Sequence, residues 1–320
     1  MTEVKPRILI SKCIEFAPCR YNAQMVTSNE VKTLKPFVHF IPVCPEMEIG
    51  LPSPRDAVRL IRQDDVLRLV ESESGKDHTQ SMASFSDSFL ANLGFIDGCI
   101  LKGRSPTCGI GNVKVYPSSG KVPHIHSKGT GFFGSRVIEQ YPEAAIEDEG
   151  RLSNLRLREH FLTRVFTLHR FNTLEVSMKH LVDFHSKNKF LFMAYNQRLL
   201  REAGSITANH ERLHTPEVFA RYRAVLVSMF QTLPKTSSNI NVLQHLFGYV
   251  SKQITPQERA FFLETLERYR TFQLPLCAVT SILLSWTARF DTPYLAMQTY
   301  FQPFPKDLQT IFDTSKGRIK

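Results

Sequence analysis

Three short apolar runs, Ile8-Leu9-Ile10, Phe37 to Val43 and Cys99-Ile100-Leu101, each lead into a cysteine-bearing loop. Short continuous apolar runs bounded by turn residues read as strands buried on both faces of a sheet. The first leads through Ser11-Lys12 to Cys13, with Cys19-Arg20-Tyr21 close behind. The second ends in Cys44-Pro45-Glu46. There Pro45 forbids further ladder pairing, and Gly50, Pro52 and Pro54 keep the chain in a loop. The third leads through Lys102-Gly103-Arg104-Ser105-Pro106-Thr107 to Cys108-Gly109. Three strands that each deliver a thiol at the carboxyl end belong in one sheet with those ends together, where open α/β sheets bind ligands. A buried, inert thiol is the usual fate of one cysteine, but three such placements are not expected by chance.

The intervening chain alternates between helix and strand. Asn29 to Lys35 reads as a short helix and Val66–Val70 as a strand, with a helix from His78 to Leu93 ended by Gly94 and a strand over Asp97–Leu101. Ser53-Pro54-Arg55-Asp56 has the pattern of a helix start. This βαβα rhythm predicts a mostly parallel sheet covered by helices. Residues 109–136 are rich in Gly, Ser, Lys and His. Within them, Gly129-Thr130-Gly131-Phe132-Phe133-Gly134 could begin a helix or admit a ligand to the backbone, but it lacks the Gly-Lys-Ser/Thr ending of a phosphate loop. His124 and His126, one residue apart, read as a solvated loop rather than a metal pair. From Leu152 onward the pattern is helical, with segments near 153–170, 174–187, 190–203, 216–232, 239–253, 256–272, 276–290 and 293–301. Breaks are expected at Gly204, Pro234, Pro256 and Pro275. Two stripes are expected to be buried: Val242, Leu243, Leu246, Phe247 and Val250, then Phe261, Phe262, Leu266 and Tyr269. The acidic Glu147-Asp148-Glu149-Gly150 reads as a hinge between an α/β domain (1–155) and an all-α domain (156–320).

With 320 residues and 42% apolar content, the chain can build two cores. No stretch reaches the roughly 18 apolar residues of a membrane helix, and the first residues lack the layout of a signal peptide. A cytoplasmic location is therefore expected, where six cysteines serve as ligands, nucleophiles or buried thiols rather than disulfides. The net charge of +10 is unevenly placed: residues 1–155 carry 18 Lys/Arg against 18 Asp/Glu, and residues 156–320 carry 22 against 12. Such asymmetry points to a nucleic acid or another anionic partner for the second half, against the alternative of a solvated basic face.

Structural zinc favours paired C-x-x-C knuckles, and none is present. A cubane iron–sulfur cluster on three thiolates, with one iron open, suits dispersed single cysteines better. The open iron would be a soft Lewis acid that prefers sulfur. Nucleophilic cysteine catalysis would need a histidine in reach, and the three loops contain none.

The motifs Ile10-Ser11-Lys12-Cys13 with Cys19-Arg20-Tyr21, Pro42-Val43-Cys44-Pro45-Glu46 with Gly50-Leu51-Pro52-x-Pro54-Arg55, and Leu101-Lys102-x-Arg104-Ser105-Pro106-x-Cys108-Gly109 resemble the thiouracil desulfidase (TudS-like) family. Gly129-x-Gly131-Phe132 and Glu149-Gly150-Arg151-Leu152 extend the likeness, which covers about 1–155. The resemblance implies a Rossmann-like domain with an oxygen-sensitive [4Fe-4S] cluster, whose ligands carry over to Cys13, Cys44 and Cys108. It places Glu46 and Ser105 at the acid/base and polar catalytic positions and leaves Cys19 as a non-ligand. Cys99 and Cys277 match nothing in the family and are expected to be buried. Asn22-Ala23 stands where the family often has Asp-Gly, and Glu48 adds a second carboxylate that could take the role of Glu46.

Residues 180–305 resemble the YbgA-like helical domain. The likeness rests on Phe184-His185-Ser186-x-x-Lys189, Met193-Ala194-Tyr195, Asn241-Val242-Leu243-Gln244-His245-x-x-Gly248-Tyr249 and Tyr294-Leu295-x-x-Gln298-x-Tyr300-x-x-Pro303-Phe304-Pro305. Together the two resemblances imply a desulfidase of thiolated uracil, with 4-thiouridine in tRNA as the expected substrate. In that reading Arg156, Arg158, Arg164, Arg198, Arg201, Arg221 and Arg223 would hold phosphates. His185 and His245 would be helix-core histidines or RNA contacts. The rivals are a desulfidase of free thiouracil bases and a non-enzymatic iron–sulfur protein that binds RNA or senses redox state.

Overall fold

The computed structural model describes residues 4–309. The chain divides into two compact units, the first reaching Val165 and the second beginning at Phe166.

In the first unit the elements run β1 (Arg7–Ser11), α1 (Asn29–Leu34), β2 (His39–Val43), α2 (Pro45–Glu48), β3 (Val58–Gln63), β4 (Val66–Glu71), α3 (Thr79–Leu93), β5 (Gly98–Leu101), β6 (Val113–Tyr116), β7 (His126–Gly129), α4 (Phe132–Gln140) and β8 (Ala145–Asp148). One sheet has the order β2-β1-β5-β8 and is parallel at every pairing. Its apolar residues are sealed: Ile8, Leu9, Ile10, Cys99, Ile100 and Leu101 are all fully buried. The chain goes from β1 to β2 on one side, and β5 flanks β1 on the other. The strand order therefore reverses at β1, the point where α/β sheets open a crevice.

A second sheet, β4-β3-β6-β7, is inserted in two pieces. The β3–β4 hairpin and the β6–β7 pair are antiparallel, and β3 joins β6 in parallel. Val66–Val70 is thus a strand as expected, but of this second sheet. The helix start at Ser53-Pro54 does not form. The Ser53 hydroxyl donates to the carbonyls of Pro18 (3.2 Å) and Arg20 (3.0 Å), and the chain enters β3 soon after. Glu147-Asp148-Glu149-Gly150, read as a hinge, has its own partners in the first unit. Its first two residues finish β8, beside β5, and the Glu149 carboxylate pairs with Lys102 and accepts from the Gly103 amide at 2.7 Å.

α5 (Leu155–Asn172) runs across the division between the units, and the second unit continues with α6 (Met178–Tyr195), α7 (Gln197–Ala208), α8 (Thr215–Met229), α9 (Thr236–Val250), α10 (Pro256–Arg270), α11 (Leu276–Arg289) and α12 (Pro293–Ala296). α6 is one helix where a break near 188 was expected. It ends at Asn196, whose side chain accepts from the amides of Arg198 and Leu199 and so caps α7. Gly204 lies inside α7 rather than breaking it. A Cβ there would stand in ordinary contact with the His185 ring at 3.6 Å, and the helix ends instead at the left-handed Asn209. Thr255 and Glu258 form a capping box that starts α10 after Ile254. The Val242, Leu243, Leu246, Phe247 and Val250 stripe is buried as expected. Phe262, Leu266 and Tyr269 are buried too, whereas Phe261 is 58% exposed and belongs to the outer face of α10. Phe262 stacks on Phe247 at 4.4 Å between ring centroids.

His160 on α5 is pushed down to about 4 by burial, with Arg164 adding to the effect. Below its ordinary value the unfolded chain takes up a proton that the folded one refuses, so stability falls as pH drops from about 6.5 towards 4. Urea unfolding at pH 7 and pH 5 should differ by on the order of 1 kcal/mol from this group. His160→Gln should remove that share of the difference; an unchanged pH dependence would contradict the assignment.

Candidate functional site

Parallel pairing brings the three strand ends into line. Ser11 pairs with Val43 and Ile10 with Ile100, so the exits of β2, β1 and β5 lie side by side. The Lys12 amide donates to the Val43 carbonyl at 2.7 Å, and the Lys102 amide to the Ser11 hydroxyl at 2.9 Å, which ties the three loops together where they leave the sheet. Cys13 follows β1, Cys44 follows β2 as the extended residue that opens α2, and Cys108 lies on the loop after β5. All three are buried.

Glu46 is buried on the first turn of α2, and the Cys44 thiol donates to its Oε2 at 3.5 Å. Arg55 Nη2 stands 3.9 Å from the same oxygen. Glu48, two residues further, is exposed. The structure thus sets Glu46, and not Glu48, against a candidate ligand.

Ser105 accepts from the amides of Thr107 (3.2 Å) and Cys108 (3.1 Å), so its oxygen shapes the turn that carries the third cysteine. The hydroxyl keeps its own proton to donate.

The motif Gly129 to Gly134 begins a helix, α4, and turns the amides of Gly131 to Gly134 to the Cys108 loop. The amides of Phe132, Phe133 and Gly134 donate to the carbonyls of Pro106 (3.1 Å), Thr107 (2.9 Å) and Thr107 (3.0 Å), and Gly131 donates to Gly109 (2.7 Å). The free donors of the helix start are therefore spent on the Cys108 loop. A Cβ at Gly131 would lie 2.4 Å from the Thr107 carbonyl oxygen, and one at Gly134 2.5 Å from that of Gly109. Glycine is required here because two backbones touch.

Cys19 is nearer to the site than its place in the sequence suggests. Its carbonyl accepts from the Cys44 thiol at 3.7 Å. The influence of Cys13, reinforced by burial, pushes Cys19 up to about 11. Cys44 is raised by Cys19, by burial and by the charge of Glu46. Cys108 is raised by burial first and by Glu46 second, with the Ser11 hydroxyl acting the other way. Each metal ligand must shed its proton, so a cation bound at these thiols would work against their burial, which raises Cys99 in the same way.

Among the described residues, no three His, Cys, Asp or Glu side chains stand close enough to hold a single metal ion. A cubane cluster makes a different demand, because its cysteines sit on separate corners. Three buried thiols from three adjacent strand exits fit that demand, and dispersed thiolates are its donor type.

Two site residues carry no signal in composition or spacing. Arg55 approaches Glu46 across a folded strap, and the Ser11 hydroxyl accepts from the Lys102 amide at the root of the Cys108 loop. Both lie within the motifs quoted above, which is the trace they leave in the sequence. Of the remaining cysteines, Cys99 is buried in β5 as expected, and Cys277 is exposed on α11. His124 is exposed and His126 half-buried, with the His126 Nδ1 taken by the Lys128 amide at 3.2 Å.

The described chain holds no helix long and apolar enough to cross a membrane. A family model described as 2-thiouracil desulfurase matches residues 8–149, the segment that holds all of these groups. An uncharacterized protein of Bacillus subtilis (strain 168), YbbK, is 31% identical over 121 residues, which is 36% of this chain and 80% of that protein. Through its first half, the chain belongs to the 2-thiouracil desulfurase family. A model described as a protein of unknown function (DUF1722) matches residues 189–305. The uncharacterized protein YbgA of Escherichia coli (strain K12) is 27% identical over 155 residues, 47% of this chain and 92% of that protein. A solved structure, the [4Fe-4S]-dependent thiouracil desulfidase TudS, aligns at 27% identity and a TM-score of 0.37, covering 46% of this chain and 93% of that one.

This member of the family depends on the Cys108 loop being clamped by α4. Gly131→Ala or Gly134→Ala should cost about 1–3 kcal/mol in chemical denaturation, the usual price of overpacking. Gly111→Ala, with nothing within 4 Å of the added carbon, should be close to neutral. Equal effects at all three positions would contradict the clamp.

Proposed function

We propose that the chain is a hydrolytic, non-redox desulfidase of thiolated uracil. It would use a [4Fe-4S] cluster held by Cys13, Cys44 and Cys108. The observation that carries this reading is the delivery of three buried thiols and one buried carboxylate by three adjacent parallel strands. When bound, a cubane with one iron free of cysteine supplies a soft Lewis-acid position for a thiocarbonyl sulfur.

The protein's own residues supply the rest. Glu46, aimed at the Cys44 side of the site, takes a proton from water, and the hydroxide attacks the ring carbon that bears sulfur. Ser105, fixed by its two amide contacts, donates a hydrogen bond to the reacting group. The carbon–sulfur bond breaks with its electron pair going to sulfur, which leaves as hydrosulfide. The ring keeps the new oxygen as its carbonyl, so no net oxidation or reduction occurs.

The finer proposal is that the thiolated uracil is 4-thiouridine within tRNA. The charge asymmetry favours it: the excess of positive charge lies wholly in residues 156–320. The arginines expected to hold phosphate are unequally suited to that task. Arg158 is buried, 3.8 Å from Glu30, and donates to the Leu152 carbonyl at 2.9 Å. Arg164 donates to the Glu143 carbonyl at 3.0 Å and Arg223 to the Asn172 side chain at 3.3 Å. Arg198 and Arg221 have acidic neighbours on exposed helix faces, where such pairs are worth little and a phosphate can displace them. Arg201 is exposed. The exposed set Arg198, Arg201 and Arg221 is thus the best-placed group for RNA. His185 is not: its Nδ1 is bound to the Tyr222 hydroxyl at 3.0 Å in the core, whereas His245 is exposed.

Anaerobically reconstituted protein should release sulfide from free thiouracil and from thiolated tRNA. Turnover on tRNA alone should fall steeply with salt, because phosphate contacts release counterions. Cys13→Ser, Cys44→Ser and Cys108→Ser should each lose the cluster iron, while Cys19→Ser, Cys99→Ser and Cys277→Ser keep it. Glu46→Gln should keep the iron and lose about 10²–10⁴-fold in turnover. Loss of turnover in Glu48→Gln instead would move the base to Glu48. Full iron in any of the first three variants would remove that cysteine from the ligand set, and absence of sulfide release from either substrate would leave the non-enzymatic reading in its place.

A further inference from the structure

Arg55 is a buried cation that the protein alone leaves incompletely partnered. Its side chain is 6% exposed. Nη1 donates to the carbonyls of Cys19 (3.1 Å) and Pro52 (3.0 Å). Nη2 stands 3.9 Å from the Glu46 carboxylate, too far for a hydrogen bond, and Nε is buried with no hydrogen-bond partner. A guanidinium does not shed its proton, so this charge is permanent. A buried charge of that kind is retained only where anions offset its lost hydration.

Its neighbours show which anions those are. Cys44 and Arg55 share two partners. The Cys44 thiol donates to the Cys19 carbonyl at 3.7 Å and to Glu46 at 3.5 Å, and Arg55 addresses the same two groups. The strap that carries Arg55 is pinned over the site, since the Arg55 amide donates to the Tyr21 carbonyl at 2.8 Å and the Ser53 hydroxyl to the Pro18 and Arg20 carbonyls. Two other cations of these loops are turned to different tasks: Lys102 pairs with Glu149, and the Arg20 guanidinium lies 5.7 Å from the centre of the Tyr21 ring. Three thiolates outweigh the charge of a cubane core and leave it anionic, and Glu46 adds a further negative charge beside it.

We propose that Arg55 is the counter-cation of the cluster: a positioning residue whose charge balances the thiolates and Glu46, and which thereby sets cluster retention and reduction potential. This rests on the three-cysteine reading above. Reduction adds negative charge to a cluster, so a fixed cation nearby favours the reduced form and raises the potential. Removing the charge should lower it. The strapping contacts to Cys19 and Pro52 are a separate contribution that charge alone cannot replace.

The two contributions separate in full-length protein reconstituted anaerobically as wild type, Arg55→Gln and Arg55→Lys. Iron and sulfide content, circular dichroism and the midpoint of an electron-paramagnetic-resonance redox titration would be read for each. The expected result is a lower midpoint in Arg55→Gln at full iron content, with Arg55→Lys close to wild type. Loss of iron in Arg55→Gln but not in Arg55→Lys would support the same role through retention. An unchanged midpoint in fully loaded Arg55→Gln would overturn it. So would equal damage in both variants, because Lys keeps the charge and lacks the fork that bridges the strap. A wild-type chain that takes up no iron would instead defeat the cluster reading itself.

Discussion

The site depends on the in-register parallel pairing of β1 with β2 and β5. Because Ser11 lies against Val43 and Ile10 against Ile100, three exits separated by long stretches of sequence reach one edge of the sheet together. The apolar residues of β1 and β5 are fully buried, and a slip of one residue would turn their side chains to the opposite face. The thiols are therefore positioned by the hydrophobic core. The loops add only the last few ångströms, through the bonds of Lys12 to Val43 and of Lys102 to Ser11.

Around that edge, each loop is held by a different device. The first is fastened by Glu15, whose carboxylate accepts from the Ser28 amide at 2.6 Å. The second is the short helix α2 with its strap to Arg55. The third is pressed against the start of α4 by glycines that allow backbone contact, and Lys102 and Gly103 are anchored at its root by Glu149. Much of the motif content thus supports the cysteines rather than touching a substrate. Such a frame suits a group whose ligands must be preorganised before it binds.

How much of this was legible follows from the range of the interactions. The strands before Cys13 and Cys108 are buried on both faces and read as continuous apolar runs, and the edge strand before Cys44 keeps an apolar run although only Val43 in it is buried. The parallel sheet and the change to helices after residue 152 followed from the same patterning. The second sheet did not, because β3 alternates apolar residues with Arg59 and Arg62 and gains its order from β6, far along the chain. Gly204 reads as a break because glycine is a poor helix former, yet α7, capped by Asn196, continues through it to Ala208. Arg55 and Cys19 were visible as motif letters but not as neighbours of Glu46 and Cys44, since those contacts exist only once the Gly50 to Arg55 strap folds back over the first loop. Phe261 and Cys277 followed the apolar pattern and yet face solvent, because a helix on the rim of a bundle buries a narrower stripe than its composition offers.

The central claim is that three cysteines of one sheet edge hold a cluster and leave one iron for the substrate. Mössbauer spectroscopy of the chain reconstituted with iron-57, with and without thiouracil, tests it most directly. The account predicts a cubane in which roughly one quarter of the iron forms a distinct site, the expectation for a cluster lacking one cysteine ligand, and that this fraction alone changes when thiouracil is added. Four equivalent irons, or a spectrum indifferent to thiouracil, would contradict it.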